Sequence, residues 1–438
     1  MDFIAVRGKP INGPLERGRR GGNPWTLAAV GGRMKILPLE AWLLPRAHSR
    51  RKLWTLDHTR SALEEIFGED MHLARVRSLA NAVAGVLNAV VVSIAAIGRA
   101  YAQLAGIESK SGVKQVDRFL GNDGVLLDEV LQLWVRHVVG TTSRIAMAMD
   151  WTDFEGDDHT TLCVYVVTTH GRATPLAWRT VKKSTLKKRR TGYELDMVRR
   201  LHRWLPDSIE ITLLADRGFG YAELYEQLGD LGWDYVIRFR EDIIVSGPDD
   251  DPVAASELVP AHGRVRKITR AKVTRKRNPV PAVVLVKRKG MKESWCLATS
   301  LATADANEIV KAYSRRFTIE ETFRDTKDIT FGLGLRATHI RDAARRDRML
   351  LLIAIAHTLL TLLGAASEAS GLDRTLKTNT SPKRTMSLFN QGLYWYQCLA
   401  DLRDDWLDRL LTAYEKILRE HEFLCEILKF EPPLERAK

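Results

Sequence analysis

Residues 143 to 239 constrain the fold most, because their hydrophobic period changes in a fixed order. "SRIAMAMDWTDF", "TTLCVYVVTT" and "ATPLAWRTV" read as three strands, with a hairpin turn at "HGR" between the last two. "YELDMVRRLHRWL" then has its apolar residues at helical spacing, followed by a short buried strand "IEITLLA", a helix "YAELYEQLGDLG" and a strand "DYVIRF". Three strands with hairpin links, then helix and strand in alternation, predict an α/β fold with a mixed sheet flanked by helices.

The rest of the chain is arranged around this segment. Residues 1–52 are rich in Gly, Pro and Arg and read as a basic, disordered arm. Residues 53–140 form short helical stretches closing near Gly, compatible with a DNA-binding bundle or with a packing domain. Residues 241–301 read as a β-rich insertion or extension within a domain of 141–335, and 336–438 return to helix. Two apolar stretches approach membrane length, Leu79 to Gly98 and Met349 to Ala366. Polar interruptions (Asn81, Asn88, Ser93, His357) favour core helices over spans, so no membrane segment is expected.

The 438 residues carry a net charge of +13, which favours a polyanionic partner, nucleic acid before an acidic small molecule. Two basic stretches stand out. Lys182 to Arg190 is a compact run, whereas Arg264 to Arg277 alternates with Val and Ile as a strand with one cationic face. A solvated edge strand would look similar. Cys163, Cys296, Cys398 and Cys425 lie far apart with no zinc-ligand spacing, which points to reduced, mostly buried thiols in a cytoplasmic protein.

Three carboxylates are singled out by position. Asp150 follows "IAMAM" on the strand face of Ala146 and Ala148, and Asp216 ends "ITLLA", where α/β sheets place their ligands. Glu320 lies in "YSRRFTIEETFRDTKD". On a continuous α-helix Arg316, Glu320 and Lys327 would fall about 60°, 20° and 40° from Tyr313, one polar stripe roughly 21 Å long. Strand-end Asp residues also cap turns, and a solvated helix face also produces stripes. Three converging carboxylates, however, repel one another unless hard divalent cations compensate, and two such ions suit in-line phosphoryl transfer. Asp153 is the reserve for Asp150.

These residues carry a resemblance to a known family. Tyr313, Arg316, Glu320 and Lys327 fit the Y-x2-R-x3-E-x6-K signature of the DDE transposases of the bacterial insertion-sequence-four group. "MDWTDF" at Asp150 resembles that group's first-Asp motif and "LADRGFG" at Asp216 its second, and the likeness runs from about Gly112 to the "LFNQG" at Leu388. The resemblance implies a ribonuclease-H-like mixed-sheet domain with a β-rich insertion and helical regions on either side. It implies Asp150, Asp216 and Glu320 as catalytic ligands of two Mg²⁺ ions, with Mn²⁺ able to substitute. Tyr313, Arg316, Lys327 and Trp295 would contact DNA, Trp295 by stacking a flipped base unless it is a core residue.

The implied activity is cut-and-paste transposition: binding of terminal inverted repeats, metal-dependent cleavage through a hairpin end, and strand transfer into target DNA by a homodimer in a synaptic complex. The implied location is the bacterial cytoplasm, at the nucleoid. A structure-selective nuclease without strand joining and an inactive transposase-derived DNA-binding regulator are the other readings.

Overall fold

The computed structural model describes residues 56–419, apart from Val90, Thr141, Phe331 and Pro382. The expected basic arm at 1–52, the end of the C-terminal region and Cys425 lie outside the described residues.

Five helices come first: α1 (Leu56–Phe67), α2 (Leu73–Asn88), α3 (Ile94–Ala105), α4 (Ser109–Leu120) and α5 (Leu127–Val139). The apolar stretch Leu79 to Gly98 is divided between α2 and α3. Ser93 restarts the helix there, its hydroxyl accepting from the Ala96 backbone N–H at 3.1 Å. Trp134 on α5 donates its indole N–H to the Pro175 carbonyl at 2.9 Å, so this helix packs directly on the sheet.

The central segment folds as its pattern predicts. β1 (Arg144–Phe154), β2 (His159–Val167) and β3 (Ala173–Lys182) are antiparallel neighbours. α6 (Arg190–Trp204), β4 (Glu210–Ala215), α7 (Ala222–Asp230) and β5 (Asp234–Phe239) follow, with β1, β4 and β5 parallel. Every residue of β2 is buried, so helices cover both faces of this part of the sheet.

The insertion adds β6 (Ile244–Ser246), β7 (Val253–Ala254), α8 (Ala255–Leu258), β8 (Val265–Val273), β9 (Asn278–Val286) and β10 (Trp295–Thr299). Its strands join the same sheet, in the order β3-β2-β1-β4-β5-β10-β9-β8-β6-β7. β10 docks antiparallel on β5, so the insertion extends the catalytic sheet edge instead of forming a separate lobe. On β8, Ile268, Ala271 and Val273 are buried while Arg266, Arg270 and Lys272 are exposed, which gives the expected cationic face.

The chain then forms α9 (Ala306–Ser314), a 3-10 turn at Arg315–Phe317, α10 (Thr318–Lys327), α11 (Ala343–Ala369), α12 (Leu388–Cys398) and α13 (Asp404–Arg419). α11 is long and apolar enough to cross a membrane, but it is a core helix, buried from Arg346 to Ser367. A Cβ at Gly364 would sit 1.8 Å from the Leu388 carbonyl oxygen, and one at Gly392 1.8 Å from that of Leu360. Only glycine permits α11 and α12 to cross this closely. The arrangement is the ribonuclease-H-like mixed α/β fold, with the β-rich insertion before the helix that carries Glu320. Cys163 and Cys296 are buried and Cys398 half-buried, all three unpaired thiols.

Candidate active site

Register brings the two aspartates together. The parallel ladder of β1 and β4 ends at the pair Met149 and Ala215, so Asp150 and Asp216 are the next residues on neighbouring chains. Adjacent strands lie roughly 4.8 Å apart, and in-register side chains share a face. Both carboxylates therefore emerge side by side at the carboxyl edge of the sheet. Each also accepts from the following backbone N–H, Asp150 from Trp151 at 2.8 Å and Asp216 from Arg217 at 2.6 Å.

Glu320, in the first turn of α10, completes the group through Arg316. The Arg316 guanidinium bonds Asp150 Oδ2 through Nη1 at 3.0 Å and Glu320 Oε1 through Nη2 at 2.6 Å. Burial pushes the Asp150 carboxyl up to about 6; Arg316 and the Trp151 N–H oppose that rise, while Asp216 and Glu320 add to it by repulsion. Burial works against the Arg316 charge, but Tyr313, Asp150, Glu320 and Asp216 together raise its pKa above the ordinary value. All three acidic residues thus act on one guanidinium. Asp216 has a second cation nearby, Arg238 at 4.0 Å, which also binds Glu293 at 2.6 Å; Arg217 bonds the same Glu293 at 2.9 Å.

The donor set fits a hard divalent cation, since it consists of the oxygens of carboxylates, one of them held above its ordinary pKa by burial first and by the repulsion of the other two in smaller part. Among the described residues no three His, Cys, Asp or Glu side chains stand as a ready metal cage. The Arg316 fork spans Asp150 and Glu320 and supplies the compensating positive charge.

The stripe expected as one continuous helix is interrupted. α9 ends at Ser314, residues 315–317 take a 3-10 turn, and α10 begins at Thr318. The tighter turn rotates Tyr313 and Arg316 inward, so they are buried, at 0% and 3% exposure, where a solvated stripe would leave them open. The Tyr313 hydroxyl is buried without a hydrogen-bond partner of normal geometry. Lys327 lies at the far end of α10, bonding Thr152 Oγ1 at 2.6 Å and the Asp153 carbonyl at 2.7 Å over the Phe154 ring. Burial pushes its ammonium down to about 8. Asp150 faces the site, so the reserve residue Asp153 is not needed there; it pairs with Lys183 at 2.8 Å.

Trp295 opens β10, half-buried. Its ring meets Tyr313 edge-on at 4.9 Å and stacks on Phe317 at 5.8 Å, and the more exposed Phe317 also carries the Arg316 guanidinium at 4.5 Å. The aromatic surface beside the carboxylates is thus a Trp295–Phe317 pair. Sequence reasoning missed Phe317, although its place directly after Arg316 could have marked it. It also missed Arg238 and Glu293, which nothing in the local pattern distinguishes from surface charges.

Comparison with known proteins gives a domain family. Residues 144–359, just under half of the chain, match the family model for the transposase DDE domain, a span that begins at β1 and ends within α11. No curated protein is matched. The family match supports a DDE transposase, an enzyme of DNA recombination that cleaves DNA with the help of divalent metal.

Proposed function

We propose that this chain, with its transposase DDE domain, is a cut-and-paste transposase of the insertion-sequence-four group that binds the terminal inverted repeats of its element and cleaves DNA there. The observation that carries the reading is the placement of Asp150 and Asp216 at the same level of parallel neighbours, with Glu320 bridged to Asp150 by Arg316. Phosphoryl transfer needs positioned charge and aligned oxygens more than covalent help, and three carboxylates on a rigid sheet edge and helix offer that. Asp150, Asp216 and Glu320 are the residues that would hold divalent metal, two Mg²⁺ ions with Mn²⁺ as substitute. When bound, such ions neutralise phosphate charge and lower the pKa of the attacking water.

The other residues act on DNA. Arg316 presents a planar fork that fits a phosphate as well as a carboxylate, so a phosphate arriving at the site is an equivalent partner for it. Tyr313 beside that guanidinium and Lys327 at the far end of α10 are further DNA contacts, and the Trp295–Phe317 pair offers a platform for an unpaired base. The cationic face of β8, the run Lys182 to Arg190 and the charge of +13 suit the backbone of a duplex, whether terminal repeat or target. Residues 53–140 recognise the ends and 336–438 support pairing of two copies in a synaptic homodimer, in the bacterial cytoplasm at the nucleoid.

The test uses the full chain with duplexes carrying the element's terminal repeats. Asp150→Asn, Asp216→Asn and Glu320→Gln each abolish Mg²⁺-dependent cleavage, while end binding stays within a few-fold of wild type. A variant that cuts at the wild-type rate removes its residue from the site. Joined products on a supercoiled target distinguish a transposase from a nuclease that only cuts.

A further inference from the structure

Glu194 is a carboxylate that the reaction described above does not use. It is fully buried, at 0% exposure, and lies on the apolar face of α6 with Met197, Val198 and Leu201 at i+3, i+4 and i+7. Burying an ionised carboxylate costs several kcal/mol unless hydrogen bonds replace its water. Three donors replace it here. The Trp151 indole N–H bonds Oε1 at 2.7 Å, Arg190 Nε bonds the same oxygen at 3.1 Å, and the Tyr221 hydroxyl bonds Oε2 at 2.8 Å.

Arg190 lies on α6 itself, and the other two donors come from the segments that carry the aspartates. Trp151 directly follows Asp150 on β1. Tyr221 closes the turn after Asp216, where the Phe219 N–H bonds the Asp216 carbonyl at 2.9 Å and the Tyr221 N–H bonds the Phe219 carbonyl at 3.0 Å. Arg190 lies over the rings of both Trp151, at 5.3 Å, and Phe219, at 6.0 Å. One buried carboxylate therefore fastens both Trp151 of β1 and the turn that follows β4 to α6. Between the two aspartates themselves the ladder gives no such hold: β1 stays paired with β2 as far as Phe154, but its pairing with β4 stops at Met149 and Ala215 and the chain after β4 leaves the sheet.

We propose that Glu194 is a positioning residue that sets the separation of Asp150 and Asp216 by anchoring Trp151 and Tyr221 to α6. The inference rests on the transposase reading for what that separation serves. Groups that orient metal-binding side chains affect metal affinity or activity by about 10–100-fold when removed.

The experiment is single-turnover cleavage of a labelled end duplex by the full chain across a Mn²⁺ titration, with melting temperature and metal-free end binding measured alongside. Glu194→Ala lowers the cleavage rate constant about 10–100-fold and raises the half-saturating Mn²⁺ concentration, with end binding within a few-fold. Glu194→Gln, which keeps size and one acceptor oxygen, falls less, and Trp151→Phe and Tyr221→Phe shift both quantities in the same direction by smaller factors. Glu194→Ala with wild-type rate constant and Mn²⁺ midpoint overturns the proposal. So does a variant whose only changes are a lower melting temperature and a smaller active fraction, because that is plain packing. If Glu194→Ala does not fold, the other three variants decide by the same readouts. If the wild-type chain cuts no end duplex, the transposase reading fails separately, and Mn²⁺ affinity of wild type against Glu194→Gln, by electron paramagnetic resonance, decides the role of Glu194.

Discussion

The two ends of α10 present the same chemistry in different solvent. At the first turn Glu320, about half exposed, meets the guanidinium of Arg316; five residues on, Asp325 meets that of Arg172 with its side chain 2% exposed. The Arg172 pair is two-pronged, Nε to Oδ2 at 2.5 Å and Nη2 to Oδ1 at 3.2 Å, with His357 of α11 at 3.7 Å from the same carboxylate. Beside it the Thr322 hydroxyl accepts from the Ala173 N–H at 2.8 Å and donates to the Ala173 carbonyl at 3.0 Å. The buried end is fixed to β3 and α11, whereas the open end keeps a carboxylate that water, phosphate or metal can reach. Burial decides which ion pair is an anchor and which can exchange partners.

Breaking the anchor gives the largest stability effect. Arg172→Ala leaves Asp325 charged, buried and without its guanidinium, and lowers unfolding free energy by about 3–5 kcal/mol in a denaturant titration. Glu320→Gln, at the open end, changes it by no more than about 0.5 kcal/mol. Equal losses at the two ends would show that exposure does not separate them.

A smaller effect comes from pH. The folded-state pKa of Asp150, about 6, lies above its ordinary value of 3.8, so folding favours its protonated form. That contribution is complete below pH 3.8 and is lost as pH rises through 6. Asp150→Asn is therefore more stable than wild type at pH 8, by on the order of 2–3 kcal/mol, and the advantage shrinks toward pH 4. A difference that stays flat with pH would mean that Asp150 carries no such burden. Divalent metal at pH 8 narrows the gap by stabilising the wild-type carboxylate.

The smallest effect belongs to Tyr313, at the turn leading into α10. Removing a buried hydroxyl that lacks a partner of normal geometry relieves a desolvation cost, so Tyr313→Phe gains between zero and about 1 kcal/mol in thermal unfolding. A loss beyond about 1 kcal/mol would reveal a bond that holds the hydroxyl in the DNA-free chain.

Much of the architecture is legible in the sequence because strand and helix periods differ and the central segment switches between them in order. The β1 to β5 succession, Asp216 at the end of its strand and the buried character of α11 all follow from local pattern, whereas β1 runs on past Asp150 to Phe154. The inward rotation of Tyr313 and Arg316 does not, since "YSRRFTIEETF" reads as unbroken helix and the 3-10 turn is set by packing against Trp295 and the sheet. Glu194 left a trace, a carboxylate on an apolar helix face, but two of its three partners lie 43 and 27 residues away.

What the sequence determined by itself, then, was periodicity, charge and the identity of three acidic side chains at element ends, properties a residue carries among its near neighbours. Tertiary structure alone decided which oxygens face one another, that Arg316 stands among them, and that the insertion strands lengthen the catalytic sheet. Those outcomes depend on register and burial, which arise only when segments distant along the chain exclude water together.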